Sequence, residues 1–149
     1  MLKNDTICAV ITPPLMAAVG IIRLSGEDAV SITNRFFSKD LEKQESHTVR
    51  YGQILDEKGA PVDDVVVTCY RAPHSYTGED VTEISCHGSM YVLNKVLRLF
   101  LGAGARQAGN GEFSKRAFLN GKMDIAQAEA VIDLIEAESE REAAVALQH

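Results

Sequence analysis

Cysteine, basic charge and long apolar runs are all scarce in this chain of 149 residues, and each shortage closes off a class of protein. Three cysteines (Cys8, Cys69, Cys86), odd in number and far apart, do not make a disulfide framework. A reducing, cytoplasmic location is therefore the expectation. The apolar runs fall well short of the roughly 20 residues that a membrane span needs. Met1-Leu2-Lys3-Asn4-Asp5 lacks the basic region and apolar stretch that open a signal peptide. There is no Gly-x-x-x-x-Gly-Lys-Ser/Thr phosphate loop, so these residues are not expected to hydrolyse a nucleotide. Gly102-Ala103-Gly104 follows a helical pattern rather than a strand and reads as a helix stop, not a dinucleotide fingerprint. Internal repeats and low-complexity tracts are also missing.

What charge there is sits at one end. The chain carries 15 Lys+Arg against 21 Asp+Glu, a net −6. From Met123 onward there are seven acids and one base (Arg141), so residues 1–122 hold 14 of each sign and are neutral. A neutral body argues against a large basic nucleic-acid footprint. At 46% hydrophobic and 24% charged, the composition is that of a folded domain. A chain of about 150 residues buries roughly 70% of its unfolded surface, enough for one solid core.

The pattern along the chain is mixed. Thr6–Thr12 is short and β-branched, which reads as a strand stopped by Pro13-Pro14. Val19–Leu24 is a second strand, after which Ser25 is placed to cap a helix carrying Ala29, Val30, Ile32, Phe36 and Phe37. Residues 38–47 are polar and loop-like. Thr48–Leu55 and Val62–Tyr70 flank the turn Asp56–Pro61 as a hairpin, and Val81–Cys86 alternates as a further strand. Gly88 opens a helix with Val92, Val96, Leu97 and Phe100 on one face. Glu112–Lys122 holds a short helix ending at Asn120-Gly121. Asp124 and Gln127 form a capping box for a long acidic helix with Ile125, Ala128, Ile132 and Ile135 as its stripe. The expected class is α/β (α+β): a mixed β-sheet with flanking helices in residues 1–118, then in residues 119–149 the first helix of an all-α domain. That helix runs into Gln148-His149 without Gly or Pro, as in a longer protein.

Three polar positions stand out. Arg23 interrupts the apolar strand Gly-Ile-Ile-Arg-Leu and shares a face with Ile21; it needs an anionic partner, in a structural salt bridge or a ligand. Glu83 is in mid-strand, where alternation alone reads it as a solvent-facing residue. Lys122 precedes the acidic helix, where Asp124 or Glu129 offers an ordinary ion pair. Cys86-His87 lacks the spacing of a metal site and reads as a strand-end pair, so no catalytic or metal-ligating residue is assigned.

In combination these segments are more specific. Asp5–Pro14, Gly20-Ile-Ile-Arg-Leu-Ser-Gly26, Ser75-Tyr-Thr-Gly-Glu-Asp80 with Cys86-His-Gly88, and Gly111–Ala130 resemble, in order, the N-terminal part of the MnmE (TrmE) family of tRNA-modifying GTPases. The resemblance implies an α/β folate-binding and dimerisation domain similar to the tetrahydrofolate-binding domain of aminomethyltransferases. It implies a 5-formyl- or 5,10-methylene-tetrahydrofolate one-carbon donor, with GTP, Mg and K serving a G domain elsewhere in the protein. It also implies a flavoprotein partner (MnmG, or GidA), tRNA bound through the whole complex, no membrane, and aminomethyl-type modification of C5 of the wobble uridine. Carried over by motif, the folate-binding residues are Arg23, Glu83 and Lys122. A pterin presents its 2-amino group and a ring N–H side by side, a donor pair that one carboxylate can accept. The carboxylates of the folate tail suit Arg or Lys. The family usually has glycines after Pro-Pro, Pro before Gly-Glu-Phe, and Gly-Gly-Pro after His; here stand Leu15–Ala18, Asn110, and Gly88-Ser89-Met90. A self-sufficient folate-dependent transferase and a purely structural dimerisation module are the competing readings.

Overall fold

A computed structural model describes residues 5–13 and 18–147, the last six as backbone only. Pro14, the Leu15–Ala17 part of the departure from the family pattern, and Gln148-His149 lie outside the described residues. The chain divides into two compact units: Met1–Ser75 with Glu79–Gln107, and Tyr76–Gly78 with Ala108–His149.

The first unit is a six-stranded mixed sheet in the order β3-β4-β5-β2-β1-β6. Its elements are β1 (Ile7–Val10), β2 (Val19–Ser25), α1 (Ala29–Arg35), β3 (Thr48–Leu55), β4 (Pro61–Tyr70), β5 (Val81–His87), α2 (Met90–Gly102) and β6 (Arg106–Gln107). Neighbouring strands pair antiparallel, except that β6 runs parallel to β1.

Alternation divides the sheet into two unlike faces. On one, Cys8, Ile22, Leu24, Val67, Cys69 and Ile84 are fully buried under α1 and α2. Leu93, Val96 and Phe100 of α2 enter this layer. A Cβ on Gly20 would meet Leu93 Cδ1 at 2.5 Å, so glycine lets α2 lie close on β2. Thr33 of α1 bonds Thr82 of β5 across the same layer, hydroxyl to hydroxyl at 2.7 Å. The other face carries Ala9, Ile21, Arg23, Val66, Thr68, Tyr70, Glu83 and Ser85, all half-buried.

The hairpin forms as its turn residues predict. Asp56 Oδ1 accepts the N–H groups of Lys58 and Ala60, each at 2.9 Å, and Gly59 takes a positive φ of 82°. Two features differ from the sequence reading. Ser25 is the last residue of β2 rather than a cap: the helix begins after Asp28, whose N–H donates to Thr6 Oγ1 at 2.9 Å. A Cβ on the intervening Gly26 would lie 2.6 Å from Thr6, so the β1 start and the turn into α1 are pressed together. The second is β6, too short to carry a periodic signal; Arg106 N–H donates to Thr6 O at 2.9 Å, and its guanidinium pairs with Asp5.

In the second unit, α3 (Glu112–Leu119) ends in a Schellman motif. Gly121, at φ +72°, donates to Phe118 O, and Lys122 N–H donates to Ala117 O at 2.8 Å. Helix α4 (Ile125–Leu147) opens with the capping box: Gln127 N–H donates to Asp124 Oδ1 at 2.8 Å, and Asp124 N–H donates to Gln127 Oε1 at 3.0 Å. Ala128, Val131 and Ile135 are its half-buried positions, whereas Ile125, Ile132 and Leu134 are exposed. The predicted stripe is thus shifted: Val131 joins it, and Ile125 and Ile132 stand outside.

Candidate functional site

Strand register sets the first pair. Arg23 of β2 lies directly opposite Glu83 of β5. Residues facing each other across antiparallel strands hold their Cβ atoms about 5 Å apart, within reach of an ion pair. Arg23 Nε donates to Glu83 Oε2 at 2.8 Å, with the two side chains 18% and 21% exposed. The partner that the apolar strand demanded for Arg23 is therefore Glu83, and Glu83 is not a fully solvated face residue. Neither charge is sealed away. Both lie at the rim of water on the face that α1 and α2 leave uncovered.

Tyr70, at the end of β4, belongs to the same cluster. Burial pushes its phenol pKa up, the Glu83 carboxylate adds to that rise, and Arg23 opposes it. Thr68, opposite Glu83 on the other side, completes a patch of carboxylate, guanidinium, phenol and hydroxyl. Tyr70 and Thr68 were not singled out from sequence. Alternation along Val65–Tyr70 would have grouped them with Val66, but only the pairing of β4 with β5 puts them beside Glu83.

Glu79 and Asp80 are tied to the end of β2. Ser25 Oγ, fully buried, donates to Glu79 Oε1 at 2.8 Å, and Gly26 N–H donates to Asp80 O at 2.9 Å. The end of the Gly20–Gly26 motif is thus bonded to Glu79 and Asp80. Cys86 is buried on the helix-covered face, where burial pushes its thiol to about 12, and it accompanies no nucleophilic base. His87 Nδ1 pairs with Asp63, and its backbone N–H donates to the same carboxylate at 2.8 Å. Among the described residues the imidazole is bonded to Asp63 and not to the Cys86 thiol, which donates to Ile84 O at 3.7 Å.

Lys122 belongs to the second unit, at the C″ position of the α3 cap. Its stem lies over Gly78, where an added Cβ would come within 3.2 Å of Lys122 Cγ. Asn120 Nδ2 donates to Thr77 O at 2.8 Å, and Tyr76 Oη bonds Ser114 Oγ at 2.7 Å, so segment 76–78 is held beside the α3 end. Among the described residues Lys122 forms no ion pair with Asp124 or Glu129. The described residues hold no cluster of three potential metal ligands, and no helix long and apolar enough to cross a membrane.

A mixed sheet layered by helices on one face, with a charged patch on the other, followed by a capped helix pair, defines an α/β domain leading into helical structure. The family model described as "GTP-binding protein TrmE N-terminus" matches residues 6–122, and the chain belongs to that family. It is 50% identical over 145 residues to a tRNA modification GTPase MnmE of Pediococcus pentosaceus, covering 96% of this chain and 31% of that protein. Over 150 residues it is 51% identical to the MnmE of Enterococcus faecalis, covering 98% and 32%. The MnmE of Geobacillus thermodenitrificans is 52% identical over 153 residues, covering 99% and 33%. The chain thus spans about a third of the length of these curated relatives.

Proposed function

We propose that this chain is the folate-binding and dimerising N-terminal domain of a cytoplasmic tRNA-modifying GTPase, with α4 beginning its helical domain. The observation that carries the reading is the Arg23–Glu83 pair, half-buried on the sheet face away from α1 and α2, in a chain 50% identical over 145 residues to a protein named tRNA modification GTPase MnmE. Glu83 is the acceptor for the adjacent N–H donors of a pterin. A carboxylate offers about four acceptor directions, more than one guanidinium uses. Arg23 fixes the carboxylate, and Tyr70 and Thr68 border the ring. Lys122 supplies a cation for the folate tail. Bound tetrahydrofolate would supply the one-carbon unit, while this chain binds and orients it.

The rest of the proposal concerns the whole protein. GTP with Mg and K acts at its G domain, the domain pairs with a second copy, and MnmG is the flavoprotein partner in modifying C5 of the wobble uridine. The exposed Ile125, Ile132 and Leu134 support α4 as an element that packs against further helices. Calorimetric titration with 5-formyltetrahydrofolate tests the folate assignment: saturable binding is expected, lost in Arg23→Ala and in Glu83→Ala. No binding by folded protein, or undiminished binding in both variants, overturns it.

A further inference from the structure

The sheet unit carries a second polar feature, on the side away from Arg23 and Glu83. A cleft of about 700 Å³ opens between the C-terminal end of α1, the β3–β4 turn and the outer face of α2. Four cations line it: Arg35, Lys58, Lys95 and Arg98, together with Tyr91. Tyr91, Lys95 and Arg98 recur at i, i+4 and i+7, one stripe along α2. Residues 88–107 contain no acid at all, in a chain whose net charge is −6.

The cations are offset only in part by the protein's own acids. Lys58 and Lys95 make no side-chain hydrogen bond or ion pair among the described residues. Among the described residues Arg98 Nε reaches only Asn94 O, at 3.3 Å, and the Arg35 guanidinium rests over the Phe36 ring at 5.7 Å. Two acids also line the cleft, Asp56 and Glu57, leaving a local excess of two positive charges from four cations and two acids. Asp56 Oδ1 accepts two backbone N–H groups of the turn, and its carboxylate also attracts Lys95 and Lys58, which is why it counts against the four cations in that excess. Tyr91 is 70% exposed, which core packing does not explain.

Spaced cations with one exposed ring fit a phosphodiester backbone carrying an unpaired base. We propose that this cleft docks the RNA substrate, with Arg35, Lys58, Lys95 and Arg98 on phosphates and Tyr91 stacked on a base. The inference rests on RNA being the whole protein's substrate. The neutral body agrees with a site of this size: it rules out a broad basic surface, not four cations in one cleft.

Fluorescently labelled bulk bacterial tRNA, titrated by anisotropy across salt concentrations, tests it. Four phosphate contacts give a log–log salt slope of about −3 to −3.6, and Lys95→Ala with Arg98→Ala flattens it by about 1.4–1.8. The same double variant weakens binding about 25- to 60-fold at 0.1 M salt. Tyr91→Leu weakens it at least about fivefold with the slope unchanged. Lys43→Ala, an exposed cation outside the cleft, leaves both unchanged. Far-UV circular dichroism confirms that each variant is folded. An unaltered slope in the double variant, no tRNA binding by the parent, or pyrophosphate saturating the cleft without tRNA binding would each overturn the inference. Folate titration of the same samples separates the two proposals. Folate binding without tRNA binding sinks only this one, and tRNA binding without folate binding sinks only the folate assignment.

Discussion

Breaking the Arg23–Glu83 pair in a double-mutant cycle gives a number that the geometry constrains. The perturbations are Arg23→Ala, Glu83→Ala and both together. Charge centres about 4 Å apart attract by about 4 kcal/mol at an effective dielectric constant of 20. Removing water from the two groups takes back most of that. With side chains 18% and 21% exposed, the pair is intermediate between a surface bridge and a sealed one. Surface bridges give about 0.2–1 kcal/mol, and breaking buried pairs costs about 3–5. A coupling of about 1–2 kcal/mol is therefore expected, with each single variant losing about 1–3 kcal/mol. Tryptophan is absent, so urea unfolding is followed by far-UV circular dichroism. The cycle also reads out at Tyr70: Glu83→Gln lowers its phenol pKa and Arg23→Gln raises it, as seen in tyrosinate absorbance. A coupling below about 0.3 kcal/mol, together with an unmoved Tyr70 titration, would mean that the two groups are separately solvated.

Two further perturbations follow from other parts of the structure. Burial pushes the thiols of Cys8 and Cys86 to about 11 and about 12. Folded values above the unfolded ones make their stabilisation complete below about pH 9 and lost as pH rises through the folded values. Urea stability should fall above pH 9 by about 1.4 kcal/mol per unit for each thiol, and Cys86→Ala should remove one such share; a curve identical to the parent's refutes this. Gly121→Ala keeps open space around its new Cβ but forces φ +72° on a side chain. A loss of about 1 kcal/mol is expected, largely restored by Asn, and an unchanged midpoint in thermal unfolding would contradict it.

Local chemistry explains what could be read before the fold was known. The hairpin turn at Asp56, the stop at Asn120-Gly121 and the Asp124/Gln127 box each depend on residues within four positions of one another. Their structures match the reading to within a residue or two. Ser25 misled for a related reason. A serine beside glycine before an apolar helix resembles a cap, yet its hydroxyl is taken by Glu79, 54 residues away. Strand order accounts for the rest. Nothing in Val81–Cys86 announces that β5 lies between β4 and β2, so sequence could name Arg23 and Glu83 separately but not join them. Segment Ala128–Ile135 shows the same limit, since helical spacing permits several stripes and the α3 surface selects one.

The junction at Thr6 bears on how the chain emerges during synthesis. Its carbonyl accepts from Arg106 and its hydroxyl from Asp28, while the neighbouring Asp5 pairs with Arg106 across 101 positions. At 5–20 residues per second, a ribosome needs roughly 5–20 s to deliver β6 after β1. For that interval one edge of β1 has no partner strand, and the nascent sheet presents an open flank beside Ile7 and Cys8. Of the six strands in this sheet, β1 is made before the others and closed last, so the vulnerable period for mispairing or chaperone capture is set by translation rather than by the folding of the hairpin.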